Sequence, residues 1–129
     1  MLSETGIEEE LAKLFTSLGY SFTKEGVSEG ASGYKHLFDF LLQKGNQTIY
    51  LDFASDVSSL IASLAKSIDI KGNKIIIAVK KHEALTEFLL VTRKAELLTS
   101  QPKIREPIVI MYENADELLN KLRFLLSQL

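Results

Sequence analysis

Asp39 and Asp52 are the residues of this chain whose type and spacing point most directly to chemistry. They sit in two alternating apolar runs, His36-Leu37-Phe38-Asp39-Phe40 and Ile49-Tyr50-Leu51-Asp52-Phe53, on either side of the turn Lys44-Gly45-Asn46-Gln47. A two-residue loop at Gly45-Asn46 pairs Lys44 with Gln47. Extending that register sets Leu42 opposite Ile49, Phe40 opposite Leu51 and Phe38 opposite Phe53 on one wholly apolar face. The other face then carries Asp39 opposite Asp52, with Leu41 beside Tyr50 and Leu37 beside Ala54. Opposed strand residues root their side chains about 4.5–5.5 Å apart, close enough for two carboxylates to share an oxygen-seeking divalent cation. Without such an ion, repulsion between them raises the proton affinity of at least one. A Mg²⁺ held there would polarise a phosphodiester and acidify an attacking water. The plain alternative is a solvated sheet edge that needs neither metal nor chemistry.

The elements around this hairpin must hold it in place. Ile7, Leu11, Leu14, Phe15 and Leu18 form one helical stripe that Gly19 stops. A strand from Tyr20 to Glu25 leads into a glycine- and serine-rich loop, Gly26 to Gly33. The hairpin strands are residues 35–43 and 47–54. A helix follows over 56–69 with Val57, Leu60, Ile61, Leu64, Ala65 and Ile68 inward, capped by Ser55 or Asp56. The run Ile75-Ile76-Ile77-Ala78-Val79, flanked by lysines, reads as a central strand covered on both faces. A helix over residues 83–98, a connector from Ser100 to Pro107, a strand over 108–112 and a leucine-rich last helix starting at Asn114 or Asp116 complete the chain. Helices between the later strands imply parallel crossovers, while the hairpin makes the sheet mixed. The expectation is one domain over residues 1–129.

Bulk properties narrow the function. The chain has 129 residues, a hydrophobic fraction of 46% and a net charge of −2, an ordinary globular balance with no strong overall pull on nucleic acid. The absence of cysteine excludes disulfides, thiolate metal sites and cysteine nucleophiles. No apolar run is long enough for a membrane span, and the opening residues are no basic leader, so a cytoplasmic protein is expected. Phosphate-binding glycine loops, dinucleotide fingerprints and serine nucleophile elbows are missing.

In element order and in the acids on the hairpin, the chain resembles the restriction-endonuclease-like, or PD-(D/E)XK, superfamily. Gly6-Ile7-Glu8 through Leu18-Gly19-Tyr20, followed by the two acid-bearing runs, is similar to the Mrr-like archaeal nuclease domains. The resemblance implies a three-layer α/β fold with a central mixed β-sheet flanked by helices. It implies Asp39 as first motif acid and Asp52 as second, both Mg²⁺ ligands, with Glu8 as the extra acid of the opening helix. The motif lysine falls at Ala54, which can neither position a water nor stabilise phosphate charge. Lys35 and Lys80 are the candidates to replace it, whereas Lys66, late in the helix after the hairpin, is expected to face solvent.

Two functions therefore stand side by side. One is a degenerate, non-catalytic nuclease-like domain that binds nucleic acid or protein, as a homodimer or in an assembly. The other is a Mg²⁺-dependent DNA endonuclease using Asp39 and Asp52. Lys35, Lys80 and Lys81 are the candidate phosphate contacts; Lys44, Lys71 and Lys74 join them only if the ends of their elements converge. His36 has the wrong strand parity for the acid face and suits a structural hydrogen bond, and His82 suits a loop or cap. Gly26 to Gly33, with Tyr34 at its end, reads equally as a substrate-contacting flap or a plain connection.

Overall fold

The structure is a computed structural model, and it describes residues 5–70, 74–81, 83, 86–88, 90 and 107–129. The helix expected over 83–98, the turn Lys71-Gly72-Asn73, the connector from Ser100 and His82 lie wholly or largely outside the described residues. The elements are α1 (Thr5–Ser17), β1 (Ser21–Glu29), β2 (Lys35–Lys44), β3 (Gln47–Ala54), α2 (Val57–Asp69), β4 (Lys74–Lys80), β5 (Ile108–Tyr112) and α3 (Ala115–Gln128). The strands form one sheet in sequence order, antiparallel from β1 to β3 and parallel from β3 to β5. The chemistry of the connections explains the change. Gly45-Asn46 returns the chain at once and gives an antiparallel neighbour, whereas α2 carries it the length of the sheet and gives a parallel one.

Helices cover both faces. Leu11, Leu14 and Phe15 of α1 and Leu118, Leu122 and Leu126 of α3 pack on one, against Phe40, Leu42, Ile49, Leu51, Phe53, Ile76 and Ala78. On the other, Leu60 of α2 and Ile70 pack against Phe38, Tyr50, Ala54, Ile75, Ile77 and Val79. β4 feeds alternate side chains into both cores, so its run has no polar member between the flanking lysines. The result is an α/β three-layer arrangement around a mixed five-stranded sheet.

The helix starts resolve both open choices. Asp56 caps α2 by accepting from Ser59 N at 2.7 Å, while Ser59 Oγ accepts from Asp56 N at 3.2 Å, a capping box with serine at its third position. Asn114 caps α3 by accepting from Glu117 N at 2.9 Å.

Three expectations need correction. β1 does not end at Glu25 but runs to Glu29, and Gly26 is buried opposite Phe38. A Cβ on Gly26 would lie 2.5 Å from that of Leu41, so glycine is there for close strand approach rather than for a loop. α2 is turned about its axis: Ile61 and Ile68 are 49% and 77% exposed, and Ser63 is buried. The hairpin register holds from Lys44–Gln47 to Phe40–Leu51, and then the regular ladder stops. Phe38 enters the α2-side core beside Tyr50, ring centroids 4.6 Å apart, instead of facing Phe53. Since Leu41 packs on that same side, side-chain alternation slips at Asp39, between the Lys24–Phe40 and Gly26–Phe38 pairs of the neighbouring strand.

Candidate functional site

The slip decides how the two aspartates meet. Asp39 no longer faces Asp52 as a regular cross-strand pair; side chains replace the missing ladder bonds. Phe53 N donates to Asp39 Oδ2 at 2.9 Å, and Asp39 N donates to Asp52 Oδ1 at 3.1 Å. Each carboxylate thus closes the backbone gap left by the other strand. Burial pushes the Asp39 carboxyl above its usual range, the amide of Phe53 opposes that, and the negative charge of Asp52 adds to the rise. Mutual repulsion is therefore real but second to desolvation.

Asp52 is no solvated edge residue. It lies 4% exposed on the α2 side of β3, between Tyr50 and Ala54 in strand parity. α2 supplies its partners: Ser63 Oγ donates to Asp52 Oδ2 at 2.8 Å, and Lys66 Nζ lies 2.6 Å from the same oxygen. Lys66 also donates to the carbonyl of Leu37 at 2.6 Å and sits 4.7 Å above the Phe38 ring. The expectation that Lys66 faces solvent is thus wrong, and its placement explains the rotation of α2. A buried carboxylate needs donors and a counter-charge, and the Ser63–Lys66 side carries the one cationic side chain of the helix, so that side turns inward and two isoleucines turn out.

The structure unites Asp39, Asp52, Ser63 and Lys66. Glu8 is not part of the group; it is paired with Lys24 at 2.6 Å. Among the described residues no three carboxylate or imidazole side chains converge to hold a metal ion. Asp52 Oδ1 accepts from Asp39 N, and Oδ2 accepts from Ser63 Oγ and lies against the Lys66 ammonium, so the cation beside the acid pair in this structure is internal.

The basic candidates divide by end of the sheet. β2 runs antiparallel to β3 and β4 runs parallel to it, so Lys35, Lys80 and Lys81 share the end toward which the acid pair lies. Lys44 and Lys74 are at the opposite end. Lys35 is opposite Glu29, Lys80 Nζ lies 5.7 Å from the Tyr112 ring centroid, and Lys81 is 3.3 Å from Glu113. His36 makes the structural bond expected of it, Nε2 lying 2.6 Å from Asp69 Oδ2.

Sequence reasoning missed Ser63, Lys66 and Asp69. Their signal was the three-residue spacing of polar groups, which puts all three on one side of a helix that follows an acid-bearing hairpin.

Comparison with known proteins adds the fold alone. No family model matches the sequence, and no curated protein matches it. Among solved structures, the crystal structure of AF1548, a protein of unknown function, superposes with a TM-score of 0.53 at 9% sequence identity. The match covers 89% of this chain and 65% of that one, so this chain spans about two thirds of the length of its structural neighbour. Among the described residues, no helix is long and apolar enough to cross a membrane.

Proposed function

We propose that residues 1–129 form a single degenerate domain of the restriction-endonuclease-like, PD-(D/E)XK superfamily, of the Mrr-like kind, which binds nucleic acid without cutting it. The observation that carries this reading is the Lys66 ammonium, 2.6 Å from both Asp52 Oδ2 and the Leu37 carbonyl. The positive charge that a hydrolytic centre would import as a metal is built into α2, while the strand position of the motif lysine is Ala54. Lys35, Lys80 and Lys81, at the acid-pair end of the sheet, are the phosphate contacts in this reading. The exposed Lys81–Glu113 pair is weak enough to exchange for phosphate.

A second reading, a Mg²⁺-dependent DNA endonuclease with Asp39 and Asp52 as ligands, is favoured by the same amine. Lys66 brings a lysine nitrogen beside the second acid from a helix instead of from the strand. It requires Lys66 to leave Asp52 Oδ2 when the cation enters.

One experiment separates them. Labelled single-stranded, duplex and branched DNA are titrated with purified protein at several salt concentrations, with and without Mg²⁺ or Mn²⁺. The binding reading expects a linear salt dependence, intact DNA, and a log–log slope reduced by roughly one for each phosphate-contacting lysine replaced by alanine. Metal-dependent cleavage abolished by Asp52→Asn would establish the nuclease instead. Cleavage surviving both Asp39→Asn and Asp52→Asn would defeat the residue roles in that second reading. A protein that binds no DNA at any salt concentration but self-associates in sedimentation would move the function to protein binding.

A further inference from the structure

We propose that Asp69, Ser32 and His36 form a latch fastening the tip of the β1–β2 hairpin to the end of α2, and that its hold strengthens when the imidazole is protonated. Asp69 is the last residue of α2, at the negative end of the helix dipole, where a carboxylate is disfavoured unless donors compensate it. Here it has three. Ser32 N donates to Oδ1 at 2.9 Å, Ser32 Oγ donates to Oδ2 at 2.6 Å, and His36 Nε2 lies 2.6 Å from Oδ2. The main chain joins in, Ala31 N donating to the Asp69 carbonyl at 2.9 Å. The tip closes on itself through Gly30 N to Tyr34 O at 2.8 Å and Gly33 N to Gly30 O at 3.0 Å. Gly30 permits the approach: a Cβ there would collide with the Asp69 carboxylate.

These bonds tie a hairpin that otherwise projects past its neighbours, with Val27, Tyr34 and Leu37 exposed. A neutral imidazole donates one ordinary bond to Asp69; an imidazolium makes the same bond between opposite charges. Ser32 and His36 hold the Asp69 carboxyl down to about 2, the Ser32 hydroxyl being the largest cause. Asp69 is therefore ionised throughout the range in which histidine changes charge, and its own contribution is lost only as the pH falls through about 2. Among the described residues, the groups facing the imidazole side of the hairpin are Ser28 of β1, Ser32 of the tip, and Asp69 and Lys66 of α2. Lys66 is occupied by Asp52 and the Leu37 carbonyl, which leaves Asp69 as the charge that responds.

The test needs no ligand, so it stands apart from the binding reading. Exchange of the Ala31 and Ser32 amides is followed by NMR at about pH 5 and about pH 8, corrected for intrinsic rates and referred to β4 core amides. In the wild type, protection of both amides is expected to be roughly five- to tenfold greater at the lower pH. His36→Gln should keep the tip protected and flatten the difference. Gly30→Ala, which removes no donor or acceptor, and Asp69→Asn should each expose the tip at both pH values while β4 stays protected. Equal wild-type protection at the two pH values, or a pH step that persists in His36→Gln, would overturn the role of the imidazole. A tip as protected as the wild type in both Gly30→Ala and Asp69→Asn would overturn the latch.

Discussion

Replacing Lys66 with methionine keeps the length and apolar stem of the side chain but removes its ammonium. Asp52, whose side chain is 6% exposed, then retains Ser63 Oγ and the Asp39 amide, and the carbonyl of Leu37 loses its donor. Breaking a fully buried ion pair from one side costs about 3–5 kcal/mol, because the remaining charge stays desolvated. The Lys66 side chain is 20% exposed, so water can reach part of the vacated position. The expected loss is accordingly about 2–3 kcal/mol. For a domain of this size that lowers Tm by roughly 6–12 °C. Urea unfolding of Lys66→Met, Asp52→Asn and the double variant measures it. If the uncompensated charge is what destabilises Lys66→Met, removing that charge must restore part of the loss. The double variant should therefore be more stable than Lys66→Met alone by at least about 1 kcal/mol. A Lys66→Met protein within about 0.5 kcal/mol of the wild type would refute the internal-cation account of the site, since surface lysines give such values.

Asp39→Asn should be neutral to mildly stabilising at pH 7, by up to about 1 kcal/mol. The Asp39 carboxyl is raised, so the wild type gains stability as the pH falls and that group protonates, and the advantage of the amide should shrink with falling pH in paired unfolding curves. Gly26→Ala forces a methyl to within 2.5 Å of Leu41 Cβ and should cost about 1–3 kcal/mol by chemical denaturation. The orientation of α2 is checked by a contrast: Ile68→Ser should change stability by less than about 0.5 kcal/mol, whereas Ser63→Val, which strips a donor from Asp52, should cost about 1–3 kcal/mol.

Much of the fold was legible because its elements announce themselves by independent signals. The stripe from Ile7 to Leu18, the two-residue turn at Gly45-Asn46 and the β-branched run of β4 each follow from a single physical rule, and all three stand where those rules put them. The hairpin register was legible over the five pairs that the turn fixes, from Lys44–Gln47 to Phe40–Leu51. It failed one residue further on. Apolar alternation at Phe38, Phe40 and Leu42 looks regular, and nothing local signals that Phe38 will find Tyr50 and a lysine on the opposite side. Part of the signal lay on the neighbouring strand, where Glu25 adopts a left-handed backbone with φ 56°, and β1 was expected to stop there. The slip is a property of three strands together, which a reading of one hairpin does not contain.

The misplacement of Lys66 has a different origin. A helix read by hydrophobicity alone is oriented by its largest apolar residues, and Ile61 and Ile68 outweigh a serine. Burying both isoleucines would be worth roughly 3–6 kcal/mol, and stripping Asp52 of both its α2 partners, the Lys66 ammonium and the Ser63 hydroxyl, costs about as much, so apolar burial alone does not fix the rotation. In the observed rotation Leu60 and Leu64 still pack on the sheet, and the carboxylate on β3 gains its two α2 partners. The orientation of the helix was therefore written in a neighbouring strand, and it becomes readable once Asp52 is treated as a buried charge that must be answered. The same rotation brings Asp69 over the hairpin, so the pairing at the centre of the sheet and the tie at the hairpin tip share one cause.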